Sequence, residues 1–151
     1  MNVYIGADHR GYTLKAKLMA WLGPMGHAVT DCGNYATDQD DDYPDFAFAV
    51  AGNVAVDGES RGILICGSGV GMTICANKIS GVRAVTGTGA EQVRLGRQED
   101  NTNVLTLAAD WTSEEKAKEL VNVFLNTDFV PMERYVRRIK KIEEKEAGSK
   151  R

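Results

Sequence analysis

The chain of 151 residues lacks long apolar runs. None of its apolar segments approaches the roughly 20 residues that a membrane-spanning helix needs, and no basic region precedes an apolar one at the amino terminus. We therefore expect a cytoplasmic protein without a membrane partner. Only three cysteines are present, Cys32, Cys66 and Cys75, and they form neither an even set nor a CxxC pair. This argues against a disulfide framework and against a zinc site.

The sequence also lacks the interleaved basic and aromatic residues that are typical of nucleic-acid-binding proteins, so we expect no nucleic-acid partner. Its carboxyl end is nevertheless basic. Residues 132–151 carry eight Lys or Arg against four Glu, on a chain whose net charge is −3. Such a segment is either the solvated face of a helix or a site for a phosphate or another anion.

The sequence does contain short apolar segments that alternate with helical ones. Those rich in β-branched residues predict five strands, at 3–7, 28–33, 62–67, 83–87 and 103–109. Apolar residues recur at helical spacing in 12–22 and 114–125, and Thr112 and Ser113 supply a start for the second of these helices. Because parallel strands need crossover helices, the pattern predicts one α/β domain over 1–151, with a parallel sheet covered on both faces.

The segment 36–45 collects five aspartates. It is either a cation site or a solvated turn that leads into a helix after Pro44. It lacks the glycine and the terminal glutamate of a calcium-binding loop, which favours the turn. We therefore predict no metal site.

Cys66 ends the third apolar segment and opens the turn CGSGVGM. In a doubly wound sheet, ligands bind beyond the carboxyl ends of the strands, so Cys66 is expected at the binding edge. The glycines let a ligand approach the backbone, and N–H groups at the start of the next helix favour an anion, a thiolate included. We predict that Cys66 is a nucleophile or a base, and that Cys32 and Cys75 are buried structural thiols.

Three other interpretations of this turn fail on spacing. A P-loop needs a lysine after Gly71, whereas a dinucleotide-binding motif and a CxxxxxR phosphatase loop need a glycine and an arginine at position 72, which is Met72. What remains is a thiolate beside backbone donors. This arrangement suits proton abstraction next to a carbonyl, with the N–H groups holding the enediolate oxygen, as in the isomerisation of a sugar.

A family resemblance rests on five segments: GADHRGYTLK at 6–15, DYP at 42–44, ILICGSGVGM at 63–72, ANKISGVRA at 76–84 and NTNVL at 101–105. Together they resemble ribose-5-phosphate isomerase of the B type, whose wider family includes galactose-6-phosphate isomerase. The resemblance implies a five-stranded, Rossmann-like α/β/α sandwich with an extra helix at about 130–146. It also implies a homodimer or tetramer whose active sites are shared across the interface, and a reaction that uses no metal or organic cofactor.

The resemblance further implies that the protein interconverts ribose 5-phosphate and ribulose 5-phosphate, a step of the non-oxidative pentose phosphate pathway. Cys66 would move a proton between C2 and C1 through a cis-enediolate. The oxyanion donors would be Gly67, Ser68, Gly69, Val70 and Gly71. Asp8 would contact substrate hydroxyls, and the other substrate-binding positions would be His9, Tyr43, Asp100, Asn101, Arg134 and Arg138. For His9, a helix-capping role is the alternative.

Arg134 and Arg138 lie one helical turn apart on the basic segment, as two guanidinium groups on one phosphate require. By the resemblance, they would bind the substrate phosphate of the neighbouring subunit.

Two positions depart from the family pattern. Many members have a histidine at position 99, credited with opening the sugar ring, where this chain has Glu99. We predict that Glu99 takes over this role, with a solvated carboxylate as the alternative. Several members have an arginine at position 110, where this chain has Asp110. A carboxylate there repels phosphate if it faces the pocket, so either it points away or the substrate sits differently.

Two other functions are left open. One is isomerisation of a six-carbon substrate such as allose 6-phosphate or galactose 6-phosphate. The other is a sugar-phosphate-binding subunit without catalysis. The presence of Cys66 favours an enzyme.

Overall fold

The backbone forms one five-stranded parallel sheet with helices on both faces, as predicted. The computed structural model describes residues 1–148. The strands are β1 Asn2–Ala7, β2 Ala28–Asp31, β3 Arg61–Cys66, β4 Ala84–Thr86 and β5 Val104–Ala108. The helices are α1 Tyr12–Leu22, α2 Tyr43–Val56, α3 Val70–Ala76, α4 Ala90–Asp100, α5 Glu114–Asn126 and α6 Glu133–Gly148, with a short 3-10 turn at Gly23–Met25.

Two hydrophobic cores lie on opposite faces of the sheet. Alternate residues of a strand point to opposite faces, so Ile65 of β3 packs with the side chains of α1, α4 and α5. Its neighbour Leu64 packs with those of α2 and α3. The three-layer α/β/α sandwich is therefore confirmed.

The predicted start of α5 is confirmed in atomic detail. Ser113 is the residue before the helix, and its Oγ accepts a hydrogen bond from the backbone N–H of Lys116 at 3.2 Å. Glu114 and Glu115 occupy the first turn, where the helix dipole favours negative charge.

The additional carboxyl-terminal helix, α6, packs against α4. It begins at Glu133, three residues later than the predicted start at 130, and it buries Tyr135 and Ile139 while Arg134 and Arg138 stay exposed. Among the helices of residues 1–148, none is both long and apolar enough to cross a membrane.

The strand order β2-β1-β3-β5-β4 makes the chain turn in opposite directions from β1 and from β3. These two neighbouring strands therefore form the switch point of the sheet, where a crevice opens beyond their carboxyl ends. The residues that follow β1 and end β3 are Asp8 and Cys66. The topology thus brings the two residues together at one edge.

Candidate active site

Cys66 lies at the carboxyl end of β3 and is 5% exposed. Its Sγ accepts a hydrogen bond from the backbone N–H of Gly69 at 3.1 Å. Gly69 stands at the start of α3 with φ of 76°, a left-handed conformation that glycine adopts without strain. The thiol is therefore held at a helix amino terminus by a backbone donor, which is the setting that the sequence predicted.

Three threonine hydroxyls, of which that of Thr106 belongs to a fully buried residue, connect this loop to the sheet. Thr73 Oγ1 lies 2.8 Å from Thr86 Oγ1, and Thr106 Oγ1 lies 3.1 Å from the same atom. Thr73 Oγ1 also donates to the carbonyl of Gly69 at 2.9 Å. The network ties α3 to β4 and β5, so the loop is fixed to the sheet.

Two of the five predicted oxyanion donors already have partners. The N–H of Gly69 donates to Cys66, and the N–H of Val70 donates to Ser68 Oγ at 3.3 Å. Either group can bind a substrate oxygen only by giving up that contact. The ring of Tyr43 packs directly on Gly71. Any larger residue would clash there, since a Cβ at position 71 would lie 2.7 Å from two ring atoms. Tyr43 therefore stands directly beside the loop.

Asp8 is 6% exposed, and its Oδ1 accepts hydrogen bonds from the backbone N–H groups of Arg10 and Gly11, each at 3.0 Å. Burial raises the pKa of Asp8, whereas the bond from Gly11 opposes that shift. Among residues 1–148, its Oδ2 has no hydrogen-bond partner. The carboxylate is thus fixed by one oxygen, and the other is available to a substrate hydroxyl.

His9 pairs with Asp41. The ring Nδ1 lies 2.6 Å from Asp41 Oδ1, and the backbone N–H of His9 donates to Asp41 Oδ2 at 2.7 Å. The hydrogen bond that the ring donates to the Asp41 carboxylate raises the pKa of His9 and favours the imidazolium. Gly11 is the residue that precedes α1, with no side-chain cap. The alternative of a helix-capping histidine is therefore wrong.

The acidic segment is a solvated turn that leads into α2, as predicted, with Asp38, Asp40, Asp42 and Asp45 exposed, and Asp41 is the exception. Its side chain is only 5% exposed. Burial acts to raise its pKa, but hydrogen bonds from His9 and from Asn34 outweigh burial and lower it. Ligand atoms of Asp8, His9 and Asp41 lie within 4.8 Å of one another, a spacing that a metal ion can use. Each of the two carboxylates also accepts two or more hydrogen bonds from groups of the protein.

Asp110 faces the same edge and forms an ion pair with Arg10. Its backbone N–H donates to the carbonyl of Gly67 at 3.1 Å. The guanidinium of Arg10 lies against Gly67, where an added Cβ would collide with it. The sequence analysis missed Arg10. Its position directly after Asp8 and His9, with an unexpected opposite charge at 110, was the available signal.

Three further predicted residues, Glu99, Asp100 and Asn101, lie at the end of α4. There the buried guanidinium of Arg97 donates to the carbonyl of Thr127 at 3.1 Å, to Asn101 Oδ1 at 2.9 Å and to the carbonyl of Thr102. Burial lowers the pKa of Arg97 to about 10, and nearby guanidinium groups add to the shift. Asn101 ends the helix with φ of 48°. Its side chain therefore has a structural partner, and Asp100 beside it is exposed.

Glu99 is half-buried and lies near Arg134 of α6. Arg134 donates to Tyr135 Oη at 2.9 Å, and this bond, together with a smaller effect of the Glu99 charge, raises the pKa of Arg134. Arg138 follows one turn later on α6 and is exposed. These residues form a second cluster, in which a carboxylate accompanies two cations.

The two clusters lie at opposite ends of the strands, one at the carboxyl ends and one at the amino ends. Cys66 pairs with Ala108 at the carboxyl end of β5, whereas Glu99 lies in the last turn of α4, shortly before β5 begins at Val104. A strand of this length spans roughly 13 Å. Within one chain, the structure therefore brings Asp8, His9, Tyr43 and Asp110 to the Cys66 loop, but it does not bring Glu99, Asp100, Asn101, Arg134 or Arg138 there.

Comparison with known proteins adds independent findings. Residues 3–142 match the family model described as Ribose/Galactose Isomerase. The chain is 37% identical over 139 residues to ribose-5-phosphate isomerase B of Mycolicibacterium paratuberculosis, covering 92% of this chain and 87% of that protein. It is 39% identical over 128 residues to ribose-5-phosphate isomerase B of Escherichia coli, covering 85% of each.

Solved structures agree with these relatives. Ribose-5-phosphate isomerase B of Mycoplasma genitalium, crystallised with bound ribulose-5-phosphate, superposes with a TM-score of 0.93 at 40% identity, over 97% of this chain and 96% of that one. The enzyme of the same name from Clostridium thermocellum superposes with a TM-score of 0.92 at 36% identity, over 99% of both chains.

Proposed function

Because the chain belongs to the ribose/galactose isomerase family, we propose that it is an aldose–ketose isomerase that interconverts ribose 5-phosphate and ribulose 5-phosphate. The observation that carries this proposal is Cys66, a buried thiol at the switch point of the sheet with a backbone donor on its sulfur. Cytoplasmic location and a role in the pentose phosphate pathway stay predictions.

In this mechanism, the Cys66 thiolate removes the proton from C2 of the open-chain aldose and returns it to C1. The proton of the C2 hydroxyl moves to the oxygen of C1, which leaves a hydroxyl on C1 and a carbonyl at C2. The negative charge develops on the oxygen of C1 and is stabilised by backbone N–H groups of the 67–71 loop. Asp8 orients the sugar through Oδ2, the carboxylate oxygen that has no hydrogen-bond partner among residues 1–148. His9, whose pKa is raised by Asp41, adds positive charge beside the substrate.

We further propose that the complete site needs two copies of the chain. Ring opening by Glu99 and phosphate binding by Arg134 and Arg138 require these side chains to meet Cys66, yet within one chain they lie at the opposite end of the strands. A second copy can supply them. Two-fold symmetry then produces two equivalent sites per dimer, each with residues from both chains.

An apolar face beside the Cys66 loop supports this assembly. Val70 and Ile74 lie one turn apart on α3 and are 54% and 55% exposed. Large apolar side chains that cluster on one helix face next to a site mark a surface for a partner. A second copy seated there also brings its own residues close to Cys66.

The direct test measures conversion of ribose 5-phosphate to ribulose 5-phosphate by the purified protein and by Cys66→Ala, with allose 6-phosphate in parallel. We expect turnover of the pentose phosphate and a loss of about a thousandfold or more in the variant, because no other group replaces the base. Faster turnover of allose 6-phosphate would support the six-carbon alternative. Binding without turnover of either sugar would favour the non-catalytic subunit.

A further inference from the structure

We infer that Arg10 is a specificity-determining residue that selects phosphorylated over unphosphorylated sugars, an inference that rests on the proposed function. Arg10 follows Asp8 and His9 in the loop after β1, and its backbone N–H is bonded to Asp8. The same residue thus helps to fix one substrate-binding side chain and carries a positive charge at the edge of the site.

The guanidinium of Arg10 is placed against the loop that carries the base. It lies over Gly67, the residue directly after Cys66, and it leaves no room there for a Cβ. Asp110 holds it from the other side through an ion pair and also binds the Gly67 carbonyl through its own N–H. Arg10, Asp110 and the loop are therefore one connected unit.

The charges at this edge show why Arg10 matters. Asp8, Asp41 and Asp110 are acidic, and a sugar phosphate brings a charge of about −1.5 to −2. Against these, His9 and Arg10 are the cations that contact the three carboxylates, whereas the nearby Lys17 is paired with Glu114. Without Arg10, the carboxylate of Asp110 faces the incoming phosphate with no compensating charge.

Arg10 also keeps donors for a substrate. A guanidinium has five N–H donors, and the bond to Asp110 comes from Nη2. Its side chain is 55% exposed, so the remaining donors can be reached by phosphate oxygens. In this chain, the cation at this edge is therefore Arg10, in the loop after β1, instead of an arginine at position 110. Asp110 orients the guanidinium of Arg10.

The test measures binding by calorimetry in the Cys66→Ala background, so that ligand is not consumed. Ribose 5-phosphate, ribose and inorganic phosphate are the ligands, and the added substitutions are Arg10→Ala, Arg10→Lys, and Arg10→Ala with Asp110→Ala. Lys17→Ala is the matched control, because Lys17 pairs with Glu114 at nearly the same exposures, 52% and 29%, as Arg10 with Asp110, 55% and 30%.

For Arg10→Ala, we expect ribose 5-phosphate to bind about 10- to 100-fold more weakly, with ribose nearly unchanged. Arg10→Lys should weaken the binding of ribose 5-phosphate less than Arg10→Ala does, because the positive charge is kept. The double substitution should also weaken it less than Arg10→Ala alone, because it removes the uncompensated carboxylate of Asp110. Lys17→Ala should change the dissociation constants about twofold or less.

Two results would overturn the inference while leaving the proposed function intact. One is a change for Arg10→Ala no larger than that for Lys17→Ala. The other is an equal loss for ribose and ribose 5-phosphate, which indicates a structural effect on the loop. If the Cys66→Ala parent binds neither ribose 5-phosphate nor phosphate, and the unsubstituted protein does not turn the sugar over, the proposed function and the inference are both wrong.

Discussion

At the scale of single residues, the surroundings of the three cysteines separate their roles. Cys66 receives an N–H donor at its sulfur, whereas burial raises the pKa of both Cys32 and Cys75 and favours their thiol forms. Cys75 packs in the core formed by α2 and α3. The sequence could predict this division, because it depends on where each cysteine lies relative to the start of a helix. The prediction of a buried thiol is confirmed for Cys75 but wrong for Cys32, which is only half-buried.

The pair of His9 and Asp41 predicts a pH dependence. The pKa of His9 is raised above 6.5, so the stability that the pair contributes is fully present below that pH and is lost as the pH rises through the raised value. At acidic pH, the lowered pKa of Asp41 sets the limit, because the stability that the pair contributes is lost as the pH falls through that pKa. Between the two values the ion pair is intact.

We expect Asp41→Asn to lower the pKa of His9. As the pH rises, the variant should therefore lose its affinity for ribose 5-phosphate at a lower pH than the unsubstituted protein does. The measurement is an NMR titration of the histidine ring protons, with His27→Gln to assign the two signals. An unchanged His9 titration in Asp41→Asn would show that this carboxylate does not hold the charge.

Glu99 is the second residue with a testable role. Its carboxylate lies near Arg134, and a carboxylate can accept the proton of the anomeric hydroxyl and deliver it to the ring oxygen as the bond from that oxygen to C1 breaks. Glu99→Gln keeps the shape and removes the base. We expect kcat for the cyclic sugar to drop about 10- to 100-fold with a small change in KM. Unchanged turnover would leave Glu99 as a solvated carboxylate.

At the scale of the elements, Arg97 fixes the end of α4 and thereby positions Glu99 and Asn101. Its buried guanidinium satisfies two backbone carbonyls and the side chain of Asn101. Arg97→Met leaves these acceptors without a donor, so we expect the free energy of unfolding to decrease by about 2–4 kcal/mol in chemical denaturation. Arg94→Met, on the exposed side of the same helix, is the control, and its expected cost is below about 1 kcal/mol. Equal losses would contradict the anchoring role.

How much of each element the sequence predicts depends on how local its determinants are. The bounds of α1 and the start of α5 follow from apolar spacing and a capping serine, which are local signals. The contacts of Arg10 with Asp110 and of His9 with Asp41 join residues that are 100 and 32 positions apart. No local pattern encodes such pairs, so the structure was needed to find them.

At the scale of the whole molecule, assembly should depend on the apolar face of α3. Ile74→Asp puts a charge on that face without touching the cores of the single chain, so we expect monomers in sedimentation analysis and a large loss of turnover although Cys66 is intact. Val56→Asp is the control, because Val56 is 90% exposed at the far end of α2. Equal turnover and an unchanged assembly for Ile74→Asp would place the partner elsewhere.

Each proposed site combines Cys66 of one chain with Glu99, Arg134 and Arg138 of another. The experiment mixes two inactive variants, Cys66→Ala and the double substitution of Arg134 and Arg138 by alanine, and lets their subunits exchange. Random pairing gives hybrid dimers in which one of the two sites is intact, so the mixture should recover about a quarter of the unsubstituted activity. If the mixture stays inactive although hybrid dimers form, all the catalytic residues belong to one chain, and the shared site is wrong.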